Sequence, residues 1–199
     1  MSETFAASSI SAVILAAGSS TRLGTPKQSL SLEGKPILQH VIDITSACGF
    51  AEVMIVLGHA AGDIEAALSL PEGARIVVNP DHLAGQSTSL RCGMDAVEAG
   101  SRAAAIFLGD QPRIEGRSIA EVLRAFASSS LPLARAMYRG TPGHPVVVAR
   151  EAYAQFGAAS GDEGARAFLE RSEDVVLVHI DADPPLDIDT WQDFEALER

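Results

Sequence analysis

The feature that most restricts the fold of this chain is a series of short apolar runs, each followed by a segment with helical spacing. Ile10–Ala16, Glu52–Leu57, Ala74–Val78 and Ala103–Leu108 lack the regular polar alternation of a half-exposed strand. Strands covered on both faces have this pattern, and they belong to parallel sheets. Between the first two, Pro36–Cys48 sets Ile37, Leu38, Val41, Ile42 and Ile44 at helical spacing. Pro36 suits the first turn of that helix and Gly49 its C-terminal cap. Ala60–Leu70, Ser87–Gly100 and Gly116–Ala127 are expected as further helices. The alternation predicts an α/β fold: a single domain, residues 1–199, with a mostly parallel twisted sheet and helices on both faces. The second half is less regular. Leu133–Tyr138 and Pro145–Ala149 are expected as strands joined by the turn-rich RGTPGH. Asp162–Arg171 is expected as a helix, Val175–Ile180 as a strand and Thr190–Leu197 as a closing helix.

Charge removes several classes of function. Fifteen Lys and Arg stand against 26 Asp and Glu, for a net charge of −11. Nucleic acids and anionic membranes reward basic surface, so neither is an expected partner. No apolar run reaches the ~18 residues of a membrane span. The N-terminal residues lack the basic segment of a secretory signal, so a cytoplasmic location is expected. Cys48 and Cys92 form no metal-ligand spacing and are expected as buried free thiols.

A net acidic chain can still hold one small anion in a local cationic pocket. The stretch VILAAGSSTRLGTPKQSL, Val13–Leu30, is where such a pocket is expected. The first apolar run stops at Gly18, and about 18 residues separate that strand from its helix, against a usual two to six. Gly18 and Gly24 allow backbone N–H groups to approach phosphate oxygens, and Arg22 and Lys27 can neutralise them. The spacing matches neither the Walker A loop nor the dinucleotide fingerprint. In open α/β sheets ligands collect beyond the carboxyl ends of the strands. This loop leaves the first strand there, and GDQP, Gly109–Pro112, leaves the fourth. Asp110 is therefore a candidate ligand for Mg²⁺, which prefers carboxylate and phosphate oxygen. LDIDT near the C-terminus supplies a second acid, with Asp187 and Asp189 on one face if the segment is extended. Asp189 or Thr190 is also placed to cap the closing helix. Lys27 is taken as an exposed loop lysine, and the carboxylates as a pair that repel each other without metal.

Taken together, these motifs resemble the MobA-like nucleotidyltransferases, and within them the molybdenum cofactor cytidylyltransferases. The opening stretch is similar to LAAGxSxRxGxPKxxL. GQSTSLRCG (Gly85–Gly93), GDQP, GHPVVV (Gly143–Val148), SGDEGAR (Ser160–Arg166) and DIDT follow in family order. The resemblance implies a Rossmann-like nucleotidyltransferase fold. It also implies attack on the α-phosphorus of a nucleoside triphosphate by an acceptor phosphate, with release of pyrophosphate. The implied nucleotide is CTP, because Ala17 stands where guanylyl-transferring relatives resemble Leu-Ala-Gly-Gly. The implied acceptor is molybdopterin, and a molybdoenzyme would receive the product. By the same resemblance Leu15, Ala16, Ala17, Gly18, Arg22, Lys27 and Ser87 would contact nucleotide. Arg22, Lys27 and Asp110 would be catalytic, Asp110 and Asp189 would hold Mg²⁺, and His144 and Asp162 would contact the acceptor. Nucleotide binding is expected within residues 10–112 and acceptor binding within 113–199. Three other readings fit the same fold: transfer to a different phosphorylated acceptor such as a sugar phosphate, cofactor delivery without catalysis, and a reductase.

Overall fold

The expected apolar runs form the centre of one seven-stranded sheet in the computed structural model, which describes residues 7–158 and 164–197. In chain order the elements begin with β1 (Ile10–Leu15), a short hairpin of β2 (Ser31–Leu32) and β3 (Lys35–Pro36), and α1 (Ile37–Ala47). They continue with β4 (Glu52–Leu57), α2 (Ala61–Ala66), β5 (Ala74–Val78), α3 (Gln86–Asp95), β6 (Ala103–Leu108) and α4 (Gly116–Ala127). The second half adds β7 (Leu133–Tyr138), β8 (Thr141–Ala149), α5 (Tyr153–Ala158), α6 (Gly164–Arg171), β9 (Val175–Ile180) and α7 (Trp191–Leu197). The large sheet has the order β5-β4-β1-β6-β8-β7-β9, with β8 antiparallel to both of its neighbours and the other pairings parallel.

Side-chain alternation along β1 explains the two layers of helices. Ile10, Ala12 and Ile14 face a core shared with Leu38, Val41 and Ile42 of α1 and Ile119, Val122 and Leu123 of α4. Val13 faces the other side, with Leu90 and Met94 of α3, Phe156 of α5 and Leu169 of α6. α3 lies so close to the sheet that a Cβ on Gly93 would sit 2.5 Å from Val13 Cγ1 and 2.9 Å from Val56 Cγ2. Gly93→Ala should therefore destabilise the protein by about 1–3 kcal/mol through overpacking, despite the better helix propensity of Ala. Urea unfolding of the two proteins measures this, and an unchanged midpoint would contradict it.

Several boundaries differ from expectation for local reasons. The second helix stops at Ala66, short of Leu70, because Gln39 of α1 takes both backbone groups of Ser69 in hydrogen bonds of 2.9 and 3.0 Å. The third stops at Asp95, where the N–H of Glu98 turns away to donate to Glu52 Oε1 at 2.8 Å. RGTPGH is mostly strand: only Arg139 and Gly140 turn, both at positive φ, the conformation of a tight two-residue hairpin. Cys48 and Cys92 are free, and each is only partly buried. The expected helix from Asp162 begins outside the described residues, and Asp162 itself lies there. Among the described residues no helix is long and apolar enough to cross a membrane.

β1 has β4 on one side and β6 on the other, and the chain reverses its direction of strand addition between β5 and β6. A crevice opens at such a point, beyond the carboxyl ends of the strands. Leu15 and Leu108, the last residues of β1 and β6, are register partners, and the N–H of Gly109 donates to Leu15 O at 2.9 Å. The two loops with candidate chemistry therefore leave the sheet side by side.

Candidate active site

The loop after β1 is held in shape by its own side chains. Ser20 has φ +52°, and its carbonyl accepts from the N–H groups of Leu23 and Gly24. Its hydroxyl accepts from the N–H of Lys27 at 3.0 Å. Leu23 is buried against Leu32, Ile37, Ile188 and Phe194, which anchors the middle of the loop. Gln28 is almost fully buried and donates to Ala16 O at 2.8 Å and Gly18 O at 3.3 Å, tying the end of the loop to its beginning. Lys27 opens the single helical turn Lys27–Ser29.

The Lys27 ammonium meets both candidate metal carboxylates. It lies 2.5 Å from Asp110 Oδ2 and 2.9 Å from Asp189 Oδ1. Arg22 joins the cluster through Asp189 Oδ2 at 2.8 Å. The Lys27 and Asp110 side chains are only 14% and 18% exposed, so Lys27 is not the exposed loop lysine its position in sequence suggests. Nor do the carboxylates simply repel, since one cation bridges them. Burial alone would lower the Lys27 pKa, but Asp110 and Asp189 outweigh it and hold the ammonium charged. The hydrogen bond from Lys27 keeps the Asp189 carboxyl below its ordinary range, with Arg22 adding to the effect.

The C-terminal acids are placed by a buried anchor. Ile188 is fully buried, and its N–H donates to Asp110 O at 3.2 Å. Asp187 and Asp189, which flank it, have no regular strand beneath them. Asp189 reaches Lys27 and Arg22, whereas Asp187 accepts from Gln111 Nε2 at 2.7 Å. Burial raises the Asp187 pKa, and the negative charge of Asp110 raises it further. The start of α7 is capped by Thr190, whose Oγ1 accepts from the N–H of Asp193 at 3.3 Å. Asp193 Oδ2 in turn accepts from the N–H of Thr190 at 2.8 Å. Asp189 is thus left available to the site.

Two cavities flank this cluster. The smaller, about 370 Å³, is lined among the described residues only by ones between Leu15 and Asp110. These include Ala16, Ala17, Gly18, Lys27, Ser89 and Asp110. The larger, about 670 Å³, is lined by Ser87, Gln111, Arg135, His144, Phe156 and Asp187 among others. Ser87 and Ser89 therefore face different cavities, with Ser87 on the His144 side. Sequence reasoning passed over Gln28, Gln111 and Arg135. The usable signal for Arg135 is a cation in the middle of the apolar strand LARAMY; the two glutamines stand inside the motifs already noted.

His144 is pushed down to about 4 by burial and by the Arg135 cation, so it is neutral at pH 7. Its ordinary value is 6.5, so below that pH the unfolded chain binds a proton that the folded chain refuses. Its contribution to stability is complete above pH 6.5, declines as the pH falls to about 4, and then levels off. Replacing His144 with Gln should flatten the fall in unfolding free energy between pH 6.5 and 4.5, measured by urea titration. A slope unchanged by the substitution would contradict the assignment.

The donor set fits a hard divalent cation. Asp110 Oδ1 is buried with no hydrogen-bond partner among the described residues, and Asp189 supplies a second carboxylate. Among the described residues no group of three or more His, Cys, Asp or Glu is placed to hold a metal. A site built here would therefore draw its remaining oxygens from water and ligand.

Known proteins share this arrangement of elements. The chain is similar to the Rv0371c homologue of Mycobacterium sp. strain JC1, at 33% identity and TM-score 0.87, over 96% of each chain. It is also similar to Rv0371c of Mycobacterium tuberculosis H37Rv in complex with manganese, at 28% identity and TM-score 0.82, over 94% of this chain and 97% of that one. Among curated proteins, the bifunctional protein GlmU of Sorangium cellulosum (strain So ce56) is 33% identical over 120 residues, 57% of this chain. The chain spans about a quarter of the length of that relative, 25%. The model of the MobA-like NTP transferase domain matches residues 12–175, and it is to this family that the chain belongs.

Proposed function

We propose that the protein is a Mg²⁺-dependent nucleotidyltransferase that moves CMP from CTP to the phosphate of molybdopterin and releases pyrophosphate. The observation that carries the reading is the convergence of Arg22, Lys27, Asp110 and Asp189, from three separate stretches of chain, beside the smaller cavity. Two carboxylates set among the phosphate cations suit a divalent ion that accompanies the triphosphate. These acids would repel a triphosphate unless a metal joined them.

The residues divide the work between the cavities. Leu15, Ala16, Ala17 and Gly18 wall the smaller one, where the nucleotide would sit. Arg22 and Lys27 neutralise its phosphates, and Asp110 with Asp189 would hold the cation. When bound, that cation neutralises phosphate oxygens and makes the α-phosphorus more electrophilic. Acceptor handling falls to the larger cavity, where neutral His144 can hydrogen-bond without adding charge and Arg135 supplies a cation for the acceptor phosphate. An acceptor oxygen forms the new bond to the α-phosphorus while the bond to the β-phosphate oxygen breaks. The attacking phosphate is already ionised, so no base is required. We assign nucleotide handling chiefly to residues 10–112 and acceptor handling to 113–199. Asp162 would belong to the acceptor side, and a cytoplasmic molybdoenzyme would take the product.

Ala17 is 5% exposed, and its methyl narrows the wall that would meet the base. That favours a pyrimidine over a purine, by the roughly 10–200-fold that one methylene-sized change supplies. The test is a matrix of the four nucleoside triphosphates with Mg²⁺, each with molybdopterin, with a sugar 1-phosphate or with no acceptor, scored by pyrophosphate release. Release that requires molybdopterin and is fastest with CTP is the expected result. Faster release with GTP would overturn the base assignment, and release driven by the sugar phosphate would overturn the acceptor.

A further inference from the structure

Resting on the reading of Asp110 and Asp189 as metal ligands, we infer that Lys27 is a built-in competitor for the metal. Its ammonium blocks the carboxylate pair until a triphosphate draws it away, so metal loading follows nucleotide binding. The geometry leaves little alternative. Lys27 Nζ lies on Asp110 Oδ2 and Asp189 Oδ1 at once, at 2.5 and 2.9 Å. A divalent ion bridging the pair would take an oxygen from each at about 2.0–2.1 Å. Of the four oxygens only Asp110 Oδ1 is without a partner among the described residues, while Lys27 and Arg22 hold the other three. Two cations cannot share them closely in a half-buried site where charges are poorly screened. Asp189 is further committed to Arg22, whose side chain is 66% exposed.

The exchange has a mechanical basis. The N–H of Lys27 is fixed by Ser20 Oγ at 3.0 Å, and the neighbouring Gln28 is locked to Ala16 and Gly18. The backbone stays in place while the four-carbon stem of Lys27 pivots between carboxylates and cavity. Lys27 and Asp110 both line the smaller cavity, so a triphosphate there offers the ammonium a more strongly charged partner within reach. Each phosphate contact Lys27 gains is a carboxylate contact it gives up. The two binding events are coupled, and by linkage the metal favours nucleotide as much as nucleotide favours metal. One consequence is that free metal alone does not saturate the protein.

Mn²⁺ titration without any nucleotide, followed by electron paramagnetic resonance, tests this. Lys27→Met removes the competitor, and Lys27→Gln is a second uncharged variant should the first fold poorly; circular dichroism verifies folding of each. Both variants are expected to bind Mn²⁺ at least about tenfold more tightly than wild type. Adding Asp110→Asn to either should abolish the gain. Equal or weaker Mn²⁺ binding by the folded Lys27 variants overturns the inference, and leaves the metal reading standing if Asp110→Asn still abolishes binding. Tight Mn²⁺ binding that survives Asp110→Asn overturns the metal reading, and the inference with it.

Discussion

Lys27→Ala should lower pyrophosphate release by on the order of 100-fold or more while leaving a folded protein. The effect follows from what the ammonium can reach. From one backbone position it spans both carboxylates and the cavity where the phosphates would lie. A fixed cation aimed at charge that grows in the transition state is worth about 2.7–4 kcal/mol when removed. The same substitution is not silent for stability. Asp110 and Asp189 lose the cation that bridges them, and Arg22 remains on Asp189 alone. The pair is more buried than a surface ion pair and less buried than a core one, which places the loss at about 1–2 kcal/mol. For a chain of this size that is a fall in melting temperature of roughly 2–8 °C. Thermal melting in chelator, alongside steady-state pyrophosphate release, checks both halves. Near-normal turnover would remove Lys27 from the phosphate site, and an unchanged melt would mean that its ion pairs contribute nothing to the fold.

The sequence carried the sheet and the chemistry unequally. β4, β5, β6, α4, β7 and β9 are legible to the residue, because each is an apolar run or a helical stripe bounded by Gly, Pro or a polar cluster. α2 and α3 run short because side chains distant in sequence, Gln39 and Glu52, capture backbone groups at their ends. No local pattern announces such a capture. The meeting of the loops after β1 and β6 follows from a general property of parallel sheets, and that made Asp110 and Lys27 legible as neighbours. Their direct contact was not. Nor was the arrival of Asp189: Ile188 buries itself beside Leu23 and Phe194, 78 residues after Asp110, and so brings Asp189 onto the same ammonium. A reader of the sequence sees two acids that would repel, because the cation that joins them lies in another loop. The division of Ser87 and Ser89 between two cavities is also invisible to spacing alone, since both lie in the first turn of α3.

Asp110→Asn is expected to be the more damaging change, with pyrophosphate release reduced about 1000-fold or beyond detection. Asn keeps the shape of Asp and one carbonyl oxygen, so the loss isolates charge. It also turns an amide towards the Lys27 ammonium, where a carboxylate oxygen now accepts at 2.5 Å, or buries that amide where Oδ1 already lacks a partner. Either orientation leaves a buried polar group unsatisfied, at a cost of about 1–3 kcal/mol. Repulsion between Asp110 and Asp187 is relieved at the same time, which offsets part of this. In chelator the variant should therefore melt a few degrees below wild type, not at or above it, as a simple repelling pair would require. Mn²⁺ with CTP should raise the melting temperature of wild type and leave that of the variant where CTP alone puts it. Asp189→Asn separates the metal role from any helix role, because Thr190 and Asp193 already cap α7. It should lose activity with little change in helix content. If Asp189→Asn stays active while Asp110→Asn does not, Asp110 holds the cation without it. If both stay active, these carboxylates serve only to seat Lys27, and the chemistry must be sought in the larger cavity around Gln111 and Asp187.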